Sequence, residues 1–193
     1  MFKELALMVW MMWPIIPVLL IPIHLSPKFW RKIGILTYPF LLAFLLPIAY
    51  LIVLSQDFLL EIVIEFPMLI FLLGLVLITI GVIIHGWTAK LLGIKSLIGY
   101  PEIRPDNEKG KLITSSLFSI VRHPTYLAHA LLWLGFFLLM GFLSLGLLTL
   151  LDFLLSYYII IPLEERELVQ RFGQEYIDYK KRVPKFFPRF FGG

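Results

Sequence analysis

Two stretches of this chain carry residue types that can do chemistry. Arg122, His123 and Pro124 head an apolar run in which Tyr126, His129 and Trp133 recur at spacings of three and four, and so share one helical face. Glu164 and Glu165 close the next apolar run. A guanidinium, two imidazoles and two carboxylates at one boundary offer opposite partners to a zwitterion. An imidazole or carboxylate beside an apolar cleft can also accept a proton, which makes His129 and Glu165 the candidates for a base. The plainer readings are an interfacial ion-pair cluster for the charges and a satisfied core histidine for His129.

What must position these groups is a membrane fold. Of 193 residues, 60% are hydrophobic and 16% charged, against the roughly 45–50% apolar content of ordinary soluble domains. The mean hydropathy is +0.90. Five apolar spans approach the roughly 20 residues a bilayer crossing needs: Leu5–Leu25, Ile33–Leu54, Phe66–Trp87, Tyr126–Met140 and Phe142–Ile161. The first is interrupted by Pro14, Pro17 and Pro22, which predicts kinks. Only a short glycine-flanked turn separates the last two, so they form a tight antiparallel hairpin that brings Glu164 and Glu165 beside Arg122, His123 and Tyr126.

The expectation is an all-α integral membrane protein with five transmembrane helices, a C-terminal hairpin and a cytoplasmic amphipathic helix. It reads as one domain, with three N-terminal spans in 1–91, a loop and short helix in 92–121, the hairpin in 122–163 and a helical tail in 164–193. All of the 17 lysines and arginines except Lys3 fall on one side of this arrangement. Basic residues mark the cytoplasmic side, so the N-terminus lies outside and the C-terminus and polar site inside.

The short helix of the loop is expected from about Thr114, capped by Thr114 or Ser115. In the tail, Leu168, Phe172, Tyr176 and Tyr179 mark an apolar face, and Glu167–Arg171 and Asp178–Arg182 are i,i+4 pairs on the exposed side. The closing basic-aromatic KFFPRFF suits a headgroup surface or a solvated tail. Asp152, deep in the last span, requires a hydrogen bond, protonation or water.

Several classes are excluded or disfavoured. With no cysteine, disulfides, thiolate nucleophiles and cysteine-bound metals are absent. The four histidines lack the spacing of a helix-borne metal site, and no phosphate-cradling glycine motif occurs. A lipid bilayer is the expected partner, and nucleic acid is not.

RHPTY at 122–126, followed by EERELVQRFGQEYIDYKKRVPKFFP from Glu164 to Pro188, resembles the isoprenylcysteine carboxyl methyltransferase and phospholipid methyltransferase superfamily. The resemblance covers roughly Gly110 to Pro188, and its small prokaryotic members also have five spans. It implies a membrane enzyme that uses S-adenosylmethionine, bound between the last two helices and the C-terminal helix. By motif position the cofactor contacts are Gly110, Lys111, Leu112, Ile113, His123, Pro124, Thr125, Tyr126 and Glu164, with Phe118 at a position usually held by tyrosine. Arg122 and His123 can meet the cofactor's carboxylate, and Glu164 and Glu165 its ammonium.

One departure bears on the acceptor. Prenylcysteine methyltransferases carry an arginine four residues before the first glutamate, and here that residue is Ile160. An apolar or lipid-like acceptor, as thiol or amine, becomes more plausible than a prenylcysteine carboxylate. A small-thiol methyltransferase group shares the pattern of Glu164–Gly173. Two other readings stand beside this one: an NADPH-binding protein like the sterol reductases, and a non-enzymatic membrane scaffold or carrier.

Overall fold

The computed structural model describes residues 2–103 and 111–186. Among them the chain is almost wholly helical, with no strand beyond a single bridge between Val63 and Phe142. Four helical stretches are long and apolar enough to cross a membrane: Phe2–Leu25, Pro27–Leu54, Met68–Leu92 and Leu143–Phe172. The fourth expected span, Pro124–Met140, is shorter at 17 residues, the low end of the roughly 17–25 that cross a bilayer. The all-α membrane architecture stands as expected. The stretch of KFFPRFF beyond Phe186 lies outside the described residues.

Proline and glycine explain where these helices bend. The first span breaks between Phe2–Met12 and Ile15–Leu25, at Pro14. Pro17 falls in the first turn of the second piece, where no N–H is needed, so it disturbs nothing. Trp13, at the bend, donates its indole N–H to Asp152 Oδ1 at 3.0 Å, which supplies the structural hydrogen bond that an intramembrane carboxyl requires. Trp10 similarly reaches Ser144 Oγ at 3.3 Å, so two indoles tie the first span to the fifth.

The third and fourth spans form the most extensive helix pair, and glycine is the reason. A Cβ on Gly135 would lie 2.8 Å from the Gly74 carbonyl and 2.7 Å from Ile78 Cγ1. One on Gly81 would meet the Ala128 carbonyl at 3.0 Å. Small residues thus let the two backbones touch, the packing that membrane helices use where burial of apolar surface cannot drive association. At the far end of this pair, the hairpin tip is pinned by Ile64 N–H donating to Gly141 O at 2.7 Å and Leu143 N–H to Ile62 O at 3.0 Å.

The fifth helix carries a π-turn, Ser156–Ile160, in which Ile161 N–H reaches back to Ser156 O. The next donor in that register would be residue 162, which is proline and has none. The carbonyl it strands belongs to Tyr157, and Lys185 Nζ supplies the missing donor at 3.4 Å while lying 3.9 Å from the Tyr157 ring centre.

Two expectations need correction. The amphipathic tail is two helices, Ile161–Phe172 and Gln174–Arg182, because Gly173 at φ +61° turns the chain. Its Leu168, Phe172, Tyr176 and Tyr179 still gather in one cluster. Glu167 pairs with Arg171 at 3.0 Å but is buried, while the Asp178 carboxylate takes Gln174 and Lys181 instead of Arg182. The loop helix is a single turn, Leu117–Ile120, entered through Ser116 at φ +59° with no side-chain cap.

Gly135→Ala is expected to lower the melting temperature in detergent, by the equivalent of about 1–3 kcal/mol for overpacking. Gly86→Ala, whose added Cβ meets nothing within 4 Å, is the control and is expected to leave it level or slightly raised. Equal melting of the two variants would contradict the account of the helix pair.

Candidate functional site

Arg122 ends the loop, and its side chain turns inward. Its Nε and Nη2 donate to Glu165 Oε1 at 3.1 and 2.8 Å, and its Nη1 donates to the carbonyls of Lys180, at 3.1 Å, and Val183. His123 Nε2 lies 3.0 Å from the same Glu165 oxygen, and Lys180 Nζ pairs with the other. The backbone joins in: Arg122 N–H donates to Pro184 O at 2.8 Å and His123 N–H to Lys185 O at 3.3 Å. A carboxylate at the end of the fifth span therefore binds the start of the fourth span to the C-terminal helix and the strap behind it. Only a forked, permanently charged donor set can hold a carboxylate and two carbonyls at once, which is why arginine suits position 122.

Around this cluster the tail packs its two buried tyrosines, Tyr176 and Tyr179. Tyr179 donates its hydroxyl to the Phe118 carbonyl at 2.6 Å. Burial, with Glu165 nearby, pushes its pKa well above the ordinary phenol value, so it stays a neutral donor. Lys185 is shifted down, chiefly by burial.

Next to the cluster lies a cavity of about 280 Å³. Its walls come from the first span (Ile15, Ile16, Leu19, Leu20, His24), the third (His85, Leu92), the Ser96–Gly99 turn, the fourth (Thr125, Tyr126, His129) and Glu164 of the fifth. Apolar walls with a few convergent polar groups are the ordinary make-up of a small-molecule site. Four buried polar atoms here have no hydrogen-bond partner among the described residues: Glu164 Oε2 and the Nδ1 atoms of His24, His85 and His129. Glu164 Oε2 comes no nearer than 3.7 Å to His123 Nδ1. The His85 and His129 rings meet edge to face with centres 4.8 Å apart.

His24 also lines a second, more open hollow of about 870 Å³, with Lys28, Arg31, Arg166, Glu167 and Arg171 around it. In it Glu167 is paired to Arg171 at 3.0 Å and to Arg31 at 3.9 Å.

The expected site residues therefore separate into three groups. Arg122, His123 and Glu165 form the clamp, and buried Pro124 opens the fourth helix beside it. Thr125, Tyr126, His129 and Glu164 line the cavity. Leu112 and Phe118 pack around the terminal helix instead, Ile113 is half-buried nearby in sequence and Lys111 is exposed. Gly110 lies outside the described residues. Sequence reasoning passed over His24 and His85. The signal available was their position, since polar side chains inside membrane spans usually face protein or a cavity. Among the described residues no cluster suited to a metal ion occurs.

A family model described as phospholipid methyltransferase matches residues 69–175, more than half of the chain. A methanethiol S-methyltransferase of Pseudomonas deceptionensis is 32% identical over 119 residues, 60% of this chain and 41% of its own. Methanethiol S-methyltransferase 2 of Bradyrhizobium diazoefficiens is 38% identical over 81 residues, 40% of this chain and 29% of its own. A cobalt-zinc-cadmium resistance protein of Cupriavidus metallidurans is 37% identical over 78 residues, 40% of this chain and 36% of its own. The chain thus spans well under half the length of each of these relatives. No solved structure matches.

Glu165→Gln should leave Arg122 and Lys180 facing a neutral amide. Removing one partner of a buried ion pair costs about 3–5 kcal/mol, so thermal stability should fall and trypsin should cut faster at Lys180–Lys185. Wild-type cleavage rates at those bonds would contradict the clamp.

Proposed function

This chain belongs to the phospholipid methyltransferase family, and from that premise we propose that it transfers a methyl group from S-adenosylmethionine to a small apolar thiol at the cytoplasmic face of a membrane. The observation that carries this reading is the cavity beside Glu164, at the end of the bundle where the basic residues gather. That charge distribution supports a reading in which this end faces the cytosol and the N-terminus lies outside, and the cofactor is a cytosolic molecule.

The residues present fit the cofactor. Glu164 offers a buried carboxylate oxygen without a hydrogen-bond partner, suited to an ammonium or a ribose hydroxyl. The Tyr126 ring gives a cationic sulfonium a π-face. Lys28 and Arg166 at the adjoining hollow are suited to the carboxylate, a task Arg122 leaves to others because its guanidinium serves the clamp. When bound, the cofactor supplies an electrophilic methyl. The protein's own part is to orient acceptor and donor, exclude water and take up a proton. Glu165, ringed by Arg122, His123 and Lys180, acts in this reading as a positioning residue, and His129 is the proton acceptor.

The walls and the relatives support the acceptor class. Leucine and isoleucine side chains form much of the lining, which favours an apolar molecule. Ile160 is fully buried against Leu20, Tyr126, Ile161 and Phe186, and so offers no partner for a prenylcysteine carboxylate. Two of the relatives are named as methanethiol S-methyltransferases, which supports a thiol over a lipid amine.

Purified protein given methyl-labelled S-adenosylmethionine and either methanethiol or 1-propanethiol is expected to yield the labelled thioether. Glu164→Gln should weaken binding of S-adenosylhomocysteine about tenfold, or roughly 1.4 kcal/mol. Labelled product from neither thiol, with NADPH bound in place of S-adenosylhomocysteine, would overturn the reading.

A further inference from the structure

We propose that His85 and His129 work as one proton-accepting pair for the thiol, and that His24 carries the proton out to the basic hollow. The inference rests on the cavity being the thiol site.

The helix pair itself builds the histidine pair. Gly81 faces Ala128 and Leu132, and without a Cβ it brings the third and fourth spans into backbone contact. His85 stands one turn beyond Gly81, and His129 lies between Ala128 and Leu132 in sequence, and the two rings meet with centres 4.8 Å apart. A contact that only filled space would be served as well by two apolar rings. These rings instead carry Nδ1 atoms that are buried without a hydrogen-bond partner among the described residues, and both side chains line the cavity. Leaving such atoms unpaired is costly, so a ligand that pairs with them offsets the cost.

The chemistry needs such a group. The thiolate, not the thiol, is the nucleophile, and an alkanethiol, which ionises above the roughly 8.5 of a cysteine thiol, is almost wholly protonated at neutral pH. Among the described residues no lysine or arginine lines the inner cavity to stabilise a bare thiolate. In the step proposed, the thiol sulfur loses its proton to His129, forms the new S–C bond with the transferred methyl, and displaces the sulfur of the methyl donor. That sulfur keeps the electron pair of the broken bond and leaves as a thioether.

A lone imidazolium would then sit beside a cationic donor in an apolar cavity, which is unfavourable on both counts. A second imidazole in ring contact gives the proton somewhere to go. His85 is half-buried where His129 is buried. His24 lines both the cavity and the basic hollow, so it stands at the junction of the two. The other titratable groups facing the pair are Tyr126 on the fourth span and Glu164 on the fifth, and the Glu164 carboxylate offsets the transient positive charge. His129 is the catalytic residue of this scheme, and His85 and His24 act through it.

The test uses the full chain in detergent and three substitutions: His129→Phe, His85→Phe and His24→Phe. Phenylalanine keeps the ring contact and removes the nitrogens. S-adenosylhomocysteine binding, followed by calorimetry, is expected to persist in all three, since the ring bulk that walls the cavity is kept. With S-adenosylhomocysteine bound, 1-propanethiol added to wild type at pH 7 should shift the His129 imidazole NMR resonances, assigned by their loss in His129→Phe. His129→Phe should lower kcat about 10²-fold at pH 7, with the rate rising in step with the free thiol's own ionisation. His85→Phe and His24→Phe should give smaller losses of kcat at constant KM, with displaced pH profiles.

Should His129→Phe not fold, His129→Asn carries the same comparison. Unshifted His129 resonances on adding thiol to wild type, and unchanged pH profiles in variants that still bind S-adenosylhomocysteine, would overturn the histidine pair while leaving the methyltransferase reading in place. Failure of wild type to bind S-adenosylhomocysteine would overturn both.

Discussion

The rest of this structure depends on one buried carboxylate. Glu165 holds Arg122, His123 and Lys180 at once, and through Arg122 it also holds the carbonyls at the end of the C-terminal helix. Its position in sequence matters as much as its charge. It follows Glu164 directly, so the contacts that hold the clamp also fix the neighbouring carboxylate at the cavity wall. Buried charge is costly unless every partner is present, and here the partners come from the fourth span, the fifth span and the tail. The clamp thus couples the three elements to one another.

A second constraint acts inside the bilayer. Gly74, Gly81 and Gly135 let the third and fourth spans approach until backbone meets backbone. That approach determines which side chains meet at the basic end, where the apolar seam gives way to His85, His129 and Tyr126. The first span then covers them, bent at Pro14 and tied to the fifth through Trp10 and Trp13. The cavity is what remains between helices placed by glycine on one side and by indole hydrogen bonds on the other.

Much of this was legible from the residues alone. Runs of leucine and isoleucine disclose membrane helices because lipid contact tolerates little else, and the short turn after Met140 requires a hairpin. From that hairpin, the meeting of Glu164 and Glu165 with Arg122 and His123 follows directly. What the residues could not disclose depends on direction and on backbone. Arg122 reaches toward the carbonyls of Lys180 and Val183, and no sequence pattern marks a carbonyl. His24 and His85 each stand alone on an apolar helix, where a single histidine has no periodicity to announce it. Their convergence exists only once the glycine seam has set the helix spacing. The break at Gly173 was hidden for a similar reason: the apolar face runs on across it, while the positive φ belongs to the backbone.

The central claim is that the cavity beside Glu164 holds the methyl donor and acceptor. Photo-crosslinking with an azido-adenosyl analogue of S-adenosylhomocysteine, followed by peptide mapping, tests it most directly. The account predicts label on the peptides that wall the cavity and the adjoining hollow, around His24, Ser96–Gly99, Thr125–His129 and Glu164, and loss of that label when unmodified S-adenosylhomocysteine competes. Competed label confined to the opposite end of the bundle, around Val63 and Phe142, would contradict it, as would no competable label in folded protein.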